Sequence, residues 1–213
     1  MRRKMAMTAI LVGGWALTAP SVPSAHAEAT PKCLYTATIV GTDGADVIRG
    51  TSEDDVIVGL GGDDVIYGGS GSDDICGGPG NDRIYGGRSG DGSLNGDAGN
   101  DVVSGGTGGD LSMYGGPGND TLKGGPGGDA LYGEDGDDLL LGGGGPDDLA
   151  GKHGDDNLRG GAGYDLLSGD DGDDVMLGGQ GPTPSTTGKG DPPSTTTRKD
   201  SSSTSRRARQ PGR

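Results

Sequence analysis

The sequence has 213 residues, a formal net charge of -15 and 50 glycines, and only 29% of its residues are hydrophobic. Average proteins contain about 7% glycine and about 45–50% apolar residues, so this composition excludes an ordinary layered globular core. It leaves a disordered chain or a repeat architecture, and a glycine spacing of nine rather than three excludes collagen.

Residues 1–27 resemble a secretory signal peptide. Residues 2–4 are Arg-Arg-Lys, an apolar run follows from Ala6 to Ala19, and Ala-His-Ala at 25–27 provides the small residues of a cleavage site. We expect cleavage after Ala27 and export of the chain, with an uncleaved anchor as the alternative. No later segment approaches the roughly 20 apolar residues of a membrane span, so we expect none.

Residues 28–40 are predicted to cap the repeat that follows. The stretch LYTATIV at 34–40 favours a strand that covers the first coil, which would otherwise present an open edge. The two cysteines of the exported part, Cys33 and Cys76, fit no Cys-x-x-Cys site. In an oxidising compartment we expect them to form one disulfide that pins this cap, the alternative being two thiols that never meet.

Residues 41–177 are a nine-residue repeat. Cutting before each leading glycine gives fifteen units, of which thirteen have nine residues and two, starting at Gly86 and Gly105, have ten. Position 1 is Gly and position 6 is Asp in all fifteen units, and position 4 is Gly in all except Glu53 and Ser89. Position 8 is Ile, Val, Leu or Met in every nine-residue unit.

This pattern predicts an all-β solenoid. The first six residues of each unit form a tight turn, because glycine tolerates positive φ, and the last three form a short strand whose middle side chain points inward. Two units close a coil of about eighteen residues, so that unit n lies over unit n+2. Stacked parallel strands then bury one aliphatic side chain per unit.

The two ten-residue units each carry an insertion after the aspartate. They are neighbours in one sheet if sides alternate, so we expect stacked bulges with Leu94 and Met113 still pointing inward; a local loop is the alternative.

Two tyrosine pairs occupy the last position of units two apart, Tyr67 with Tyr85 and Tyr114 with Tyr132. Each pair should lie side by side on an outer sheet face as a stabilising contact, the alternative being a carbohydrate platform.

The repeat needs a positive partner. Residues 28–177 contain 30 acidic and 7 basic residues, and a core one side chain wide cannot offset the entropy of ordering the chain. Carboxylates beside glycine-rich carbonyls are oxygen ligands for a hard ion, and Ca²⁺ takes about 6–8 of them in flexible geometry, whereas Mg²⁺ demands strict octahedra. Soft metals prefer His or Cys. We therefore expect Ca²⁺ between units n and n+2, at no more than thirteen such pairs.

The units GGPGNDRIY, GGPGNDTLK and GGAGYDLLS resemble the RTX, or haemolysin-type, calcium-binding nonapeptide repeat Gly-Gly-x-Gly-x-Asp-x-U-x. The whole chain also resembles short secreted actinobacterial calcium-binding proteins of this type. The resemblance covers residues 41–177 and implies a right-handed parallel β-roll with two repeats per turn and Ca²⁺ between turns. The family's ligand aspartate corresponds to Asp46, Asp55, Asp64, Asp73, Asp82, Asp91, Asp101, Asp110, Asp120, Asp129, Asp138, Asp147, Asp156, Asp165 and Asp174.

Residues 178–213 are rich in Ser, Thr and Pro, with 7 basic and 2 acidic residues, and we expect this tail to be disordered. Its cluster Arg-Arg-Ala-Arg at 206–209 could bind anionic cell-wall polymer, the alternative being a solvated tail. We expect no nucleic-acid partner.

The function predicted from these features is that of a secreted, extracellular, non-enzymatic protein that folds when it binds Ca²⁺. The alternative is a cell-surface spacer or adhesin whose basic tail contacts the wall. An enzyme acting on acidic polysaccharides is disfavoured, because the carboxylates recur identically in every unit and a thin roll offers no cleft. His153, the one histidine after residue 27, is predicted to lie at a turn, which disfavours a Ser-His-Asp site.

Overall fold

The chain forms two parallel β-sheets that face each other, as a computed structural model shows for residues 37–110, 112–180 and 185–186. Every pair of neighbouring strands runs parallel, and consecutive strands alternate between the sheets. Within this described part, no helix is long and apolar enough to cross a membrane. The all-β parallel β-roll predicted from the repeat is therefore confirmed.

The nine-stranded sheet contains the odd-numbered strands, in spatial order β1 (Ile39–Val40), β3 (Val56–Val58), β5 (Asp74–Pro79), β7 (Ser93–Ala98), β9 (Met113–Pro117), β11 (Ala130–Asp135), β13 (Asp148–His153), β15 (Leu166–Asp171) and β17 (Ser185–Thr186). The eight-stranded sheet contains β2 (Val47–Arg49), β4 (Val65–Gly69), β6 (Arg83–Gly87), β8 (Val102–Gly106), β10 (Thr121–Pro126), β12 (Leu139–Gly144), β14 (Asn157–Ala162) and β16 (Val175–Gln180).

The register follows the repeat. Leu131 pairs with Met113 on one side and with Leu149 on the other, and each of these residues occupies the same place in a unit two away. The predicted stacking of unit n on unit n+2 is thus confirmed. Identical positions form columns that run along the roll from one coil to the next.

The core is one such column from each sheet. All fifteen inward-facing residues, from Ile48 to Met176, belong to a single buried cluster, and Ile39 of β1 packs against it. Each strand contributes one side chain because its neighbours along the strand point to the opposite face. The interior is therefore only two side chains across.

Most strands are longer than the three residues predicted. In β11 the pairing continues past Tyr132 and the leading Gly133, so that Glu134 pairs with Lys152 and Asp135 with His153. The backbone changes direction at the position after the leading glycine, where φ is positive, without leaving the ladder of hydrogen bonds. In these longer strands the corner of the coil is consequently paired like its flat side.

The ten-residue units keep their hydrophobic residues inside. Leu94 and Met113 are fully buried and pair with each other, as predicted. In the first of these units the Gly92 amide donates to the Asp73 carbonyl, and Ser93 pairs with Asp74. The additional residue therefore lies between the turn and the strand, where it leaves the column of core side chains unbroken.

The outer faces carry the two predicted tyrosine pairs. The rings of Tyr67 and Tyr85 stack with centroids 5.1 Å apart, and those of Tyr114 and Tyr132 with centroids 5.2 Å apart. The guanidinium of Arg49, one coil before Tyr67, lies 4.4 Å from the centre of that ring. Column packing of this kind adds side-chain contacts outside the core.

The N-terminal end of the nine-stranded sheet is covered by β1, which pairs with β3. A second buried cluster lies on the outer face beside it and contains Val58 and Cys76, with Ala37, Val56 and Leu60 packed against them. Cys33 and the other residues before 37 lie outside the described residues. The 28–40 cap and the Cys33–Cys76 disulfide therefore remain predictions.

The C-terminal end extends past the predicted boundary at residue 177. Strand β16 continues to Gln180, and β17 at Ser185–Thr186 pairs with β15. This part of the chain continues the columns although it lacks the repeat's aspartate. The signal peptide at 1–27 and the basic cluster at 206–209 lie outside the described residues.

Candidate metal centre

The six-residue turns lie along two edges of the roll. The first edge contains the turns that lead into the eight-stranded sheet, in the units starting at Gly41, Gly59, Gly77, Gly96, Gly115, Gly133, Gly151 and Gly169. The second edge contains the turns that lead into the nine-stranded sheet, in the units starting at Gly50, Gly68, Gly86, Gly105, Gly124, Gly142 and Gly160. Each edge repeats one arrangement of aspartate and glycine.

The position 6 aspartates form a hydrogen-bonded ladder along each edge. The backbone amide of each aspartate donates to the Oδ1 atom of the aspartate one coil further on, as from Asp120 to Asp138 at 2.7 Å and from Asp129 to Asp147 at 3.0 Å. Thirteen such bonds, between 2.7 and 3.2 Å, join all fifteen residues into two ladders. One oxygen of thirteen of these carboxylates, those from Asp64 to Asp174, is therefore used to hold the coils in register.

The other oxygen of these carboxylates is buried and receives no hydrogen bond. This holds for the Oδ2 atoms of Asp64, Asp73, Asp82, Asp91, Asp101, Asp110, Asp120, Asp129, Asp138, Asp147, Asp156, Asp165 and Asp174. These side chains are between 0% and 8% exposed. Buried polar atoms are almost always paired, so thirteen identical exceptions in regular columns indicate a partner other than a protein donor.

The leading glycine of each unit provides the space around this oxygen. A Cβ atom at Gly115 would collide with Asp120 Oδ2 and with the carbonyl oxygen of Gly133, in the unit two further on. The same two collisions occur at every leading glycine from Gly59 to Gly151. Position 1 is glycine because a carboxylate oxygen and a carbonyl oxygen converge beside its Cα atom. The space between these two oxygens is called the cradle below.

The glycines at positions 2 and 4 have a second cause besides the close approach of backbone from the previous coil, since φ there is positive in most units. Position 2 nevertheless accepts other residues, and Leu60, Asp97, Glu134, Lys152 and Asp170 occupy it with φ between 68 and 88°. Most glycines at this position have φ above 100°. A side chain is accommodated by a small rotation toward the ordinary left-handed region.

Burial raises the pKa of Asp101, Asp138 and Asp156 to about 7 from the ordinary value of 3.8. The main cause is the loss of hydration, which disfavours the charged form. Hydrogen bonds from backbone amides lower the pKa, whereas the negative charges of neighbouring aspartates, such as Asp120 and Asp82 beside Asp101, raise it. The ladder is therefore electrostatically strained whenever its carboxylates are ionised without a counter-charge.

The donor set fits a hard cation. Carboxylate and carbonyl oxygens converge, and no group of three or more His, Cys, Asp or Glu side chains that could hold a metal occurs in the described residues. The oxygens that converge beside each leading glycine come from one carboxylate and from the backbone, and these would hold a bound ion. Oxygen ligands of this kind suit Ca²⁺ better than a transition metal.

The comparison with family models agrees with this geometry. Residues 40–75, 68–92, 77–111, 114–149 and 151–182 match the model described as RTX calcium-binding nonapeptide repeat (4 copies). The chain belongs to the RTX calcium-binding repeat family. The matches cover about two thirds of this RTX chain, and the repeats of this family bind calcium. None of the curated proteins matches the chain.

The fifteen predicted ligand residues fall into two groups according to the hydrogen bonds at their Oδ2 atoms. Thirteen place a donor-free Oδ2 atom at the cradle, while Asp46 and Asp55 of the first two units receive hydrogen bonds from Thr42 and Thr51 at that atom. The RTX pattern alone does not distinguish these two groups. The signal in the sequence is the threonine at position 2, which later units lack.

The sequence analysis did not predict a second ladder of hydrogen bonds. On the first edge, the backbone amide of the residue before the position 6 aspartate donates to the Oδ1 atom of its counterpart one coil earlier, as from Asn100 to Asn81 at 2.9 Å and from Asn119 to Asn100 at 2.8 Å. The ladder also contains Asp63, Asp137, Asp155 and Asp173. The signal in the sequence is Asn or Asp at position 5 of alternate units. On the second edge, position 5 of the units from Gly86 onward is instead Gly90, Gly109, Gly128, Pro146 and Tyr164.

Gly115→Ala should lower the free energy of unfolding in saturating calcium by about 1–3 kcal/mol, because its methyl group would occupy the cradle beside Asp120. It should also raise the calcium concentration at half-saturation. The measurement is urea unfolding and calcium titration followed by circular dichroism. Gly144→Ala is the matched control, since a Cβ atom there has no neighbour within 4 Å, and it should change stability by less than about 0.5 kcal/mol. Equal effects of the two substitutions would contradict the cradle.

Acidification should favour the roll in the absence of calcium. Burial raises the pKa of Asp82 to about 6 and that of Asp101 to about 7, so the metal-free roll is most stable below pH 4 and loses stability as the pH rises through 6 to 7. Far-UV circular dichroism of the chelated protein should therefore show more β-sheet at pH 4 than at pH 8. A chelated protein whose spectrum is the same at both pH values would contradict the raised pKa values.

Proposed function

We propose that this RTX chain is a secreted, non-enzymatic protein that folds into its β-roll by binding Ca²⁺ between successive coils. The observation that carries the proposal is the column of buried Asp Oδ2 atoms that receive no hydrogen bond. Membership of the family and the donor set of each cradle point to the same ion.

The ligands proposed for each ion include the Oδ2 atom of one position 6 aspartate and the carbonyl oxygen of the leading glycine two units further on. At the centre of the roll these are Asp120 with Gly133 and Asp129 with Gly142. The remaining places are filled by other carbonyls of the turn or by water, since Ca²⁺ takes about 6–8 oxygen ligands. Bound Ca²⁺ supplies positive charge between carboxylates that would otherwise repel each other.

The coupling of binding to folding follows from where the ligands lie. Each cradle combines groups from two coils, and these groups come together only when the coils are stacked. The unfolded chain therefore lacks the site, and the free energy of binding becomes free energy of folding. Because each coil contacts only its neighbours, folding should spread cooperatively from coil to coil.

Export is the part of the proposal that rests on the sequence. The signal-like residues 1–27 predict secretion, and extracellular calcium modules bind at about 10⁻⁴–10⁻³ M. Cys76 is buried beside Val58, and Ala37 of the N-terminal segment packs against this cluster, which supports the proposal that a bond to Cys33 tethers the cap. The basic tail remains a candidate contact for anionic wall polymer, with the spacer or adhesin as the alternative function.

Titration of residues 28–213 with CaCl₂, followed by far-UV circular dichroism, tests the calcium-coupled fold. We expect a cooperative change from a disordered to a β-sheet spectrum at about 10⁻⁴–10⁻³ M Ca²⁺. MgCl₂ at the same concentrations is the control and should leave the chain disordered, because Mg²⁺ does not accept this irregular geometry. A chelated protein that is as compact and as heat-resistant as the loaded one would refute the proposal.

Intact-mass spectrometry of protein expressed in a secreting host tests export and the disulfide together. We expect a chain that begins at Glu28 and is lighter by the two hydrogens lost when Cys33 and Cys76 are joined. Reduction should restore those hydrogens, and a Cys76→Ser variant should lack the difference. Retention of residues 1–27 on a cell-bound chain would support an uncleaved anchor instead.

A further inference from the structure

The first two units of the repeat differ from the later ones at the cradle oxygen. Thr42 donates to Asp46 Oδ2 from its backbone amide at 2.7 Å and from its hydroxyl at 2.8 Å. Thr51 makes the same two bonds to Asp55 Oδ2, at 2.7 and 2.9 Å. Both threonines occupy position 2 of their units. Two independent turns, one on each edge, therefore share one local arrangement.

These bonds use the acceptor capacity that a cation would need. An ionised carboxylate offers about four acceptor positions over its two oxygens, so two donors saturate Oδ2. Asp55 is occupied further, since the Thr38 hydroxyl lies 3.1 Å from its Oδ1 atom. Asp46 and Asp55 are accordingly the two position 6 aspartates whose Oδ2 atoms receive protein donors within the described residues.

The threonines also replace the turn geometry of the later units. The hydroxyl oxygens of Thr42 and Thr51 accept the backbone amides of Gly44 and Glu53, at 3.3 and 3.1 Å. None of these four residues has a positive φ, whereas later units have it at position 2, position 4 or both. The hydroxyl group thus organises a turn of another shape, in which position 4 need not be glycine.

The mere loss of glycine at position 2 does not explain the difference. Lys152 occupies that position with φ of 88°, and the Oδ2 atom of Asp156 in the same unit remains without a donor. Leu60 likewise leaves Asp64 Oδ2 without one. The distinguishing feature is a hydroxyl on a residue whose φ is negative.

We propose that Thr42 and Thr51 take the place of the cation in the first two units, so that the first coil of the roll binds no calcium. The inference rests on the proposed function and refines it. Of the thirteen stacked pairs of units, those that begin at Gly41 and Gly50 hold no ion, and eleven remain. The end coil, which lacks a full coil beneath it, is stabilised by its own side chains instead.

The test compares bound calcium per chain in two matched double variants of the exported chain, measured by atomic emission after equilibrium dialysis in saturating calcium. Asp46→Asn with Asp55→Asn should leave the number of ions unchanged, because asparagine still accepts from threonine through its side-chain oxygen. Asp64→Asn with Asp73→Asn, the same positions one coil further on, should lower the number by about two. Equal losses in both variants would overturn the proposal.

A variant designed to gain calcium sites tests the same proposal in the opposite direction. Thr42→Gly with Thr51→Gly installs the residue that most later units have at position 2. It removes both hydroxyl donors and permits the positive φ of the later turns, in which no amide donates to the Oδ2 atom. We expect about two more ions per chain than in the unsubstituted protein. An unchanged number would overturn the proposal even if the asparagine variants bound calcium alike.

Failure of the proposed function looks different in the same experiment. If the unsubstituted chain bound no calcium at saturation, calcium-coupled folding itself would be wrong. If it bound calcium and the threonine variant gained none, only the role of Thr42 and Thr51 would be wrong.

Discussion

The structure depends on a carboxylate whose two oxygens do different work. One oxygen accepts an amide from the coil below and fixes the register, while the other converges with a glycine carbonyl and has no protein donor. Two partially or fully negative oxygens at close range, away from water, repel each other unless a positive charge lies between them. The stacking of coils and the site that suits a cation therefore arise from the same residue, except in the first two units, where Thr42 and Thr51 donate to the second oxygen.

Glycine serves this arrangement for two physical reasons that the sequence alone does not separate. At position 1 the limit is space, because any side chain would enter the cradle. At positions 2 and 4 a Cβ atom would also meet backbone atoms two units earlier, and positive φ is a second limit there. At position 2 the combined limit is softer, because a small rotation of the backbone accommodates Glu134 and Lys152. The difference explains why position 1 is invariant over fifteen units while position 2 is not.

The regular part of the fold could be predicted because every unit repeats the same constraints. The inward column, the stacking of alternate units and the tyrosine pairs follow from a period of nine and a strand period of two. The added residues of the ten-residue units were predictable for the same reason, since Leu94 and Met113 must stay in the core.

The repeat pattern does not predict the contacts that differ from one unit to another. The length of the strands was underestimated because hydrogen bonding through a positive-φ corner has no signature in hydrophobic alternation. The role of Thr42 was missed because a threonine in a turn is common, and its two bonds to Asp46 depend on a backbone angle that only the structure reveals. The position 5 ladder was visible as alternating Asn and Asp, but its extent required knowing which turns share an edge, since on the second edge it consists of the single bond from Ser72 to Asp54.

The columns also constrain how the length of such a chain can change. Each coil consumes two units, so inserting or deleting one unit moves everything downstream to the opposite sheet. Tyr114 would then separate from Tyr132 if the break fell between them, and the amide ladder of one edge would be divided between two. Growth or loss by pairs of units keeps every downstream unit on its own sheet and its own edge, so the natural increment of this architecture is the pair.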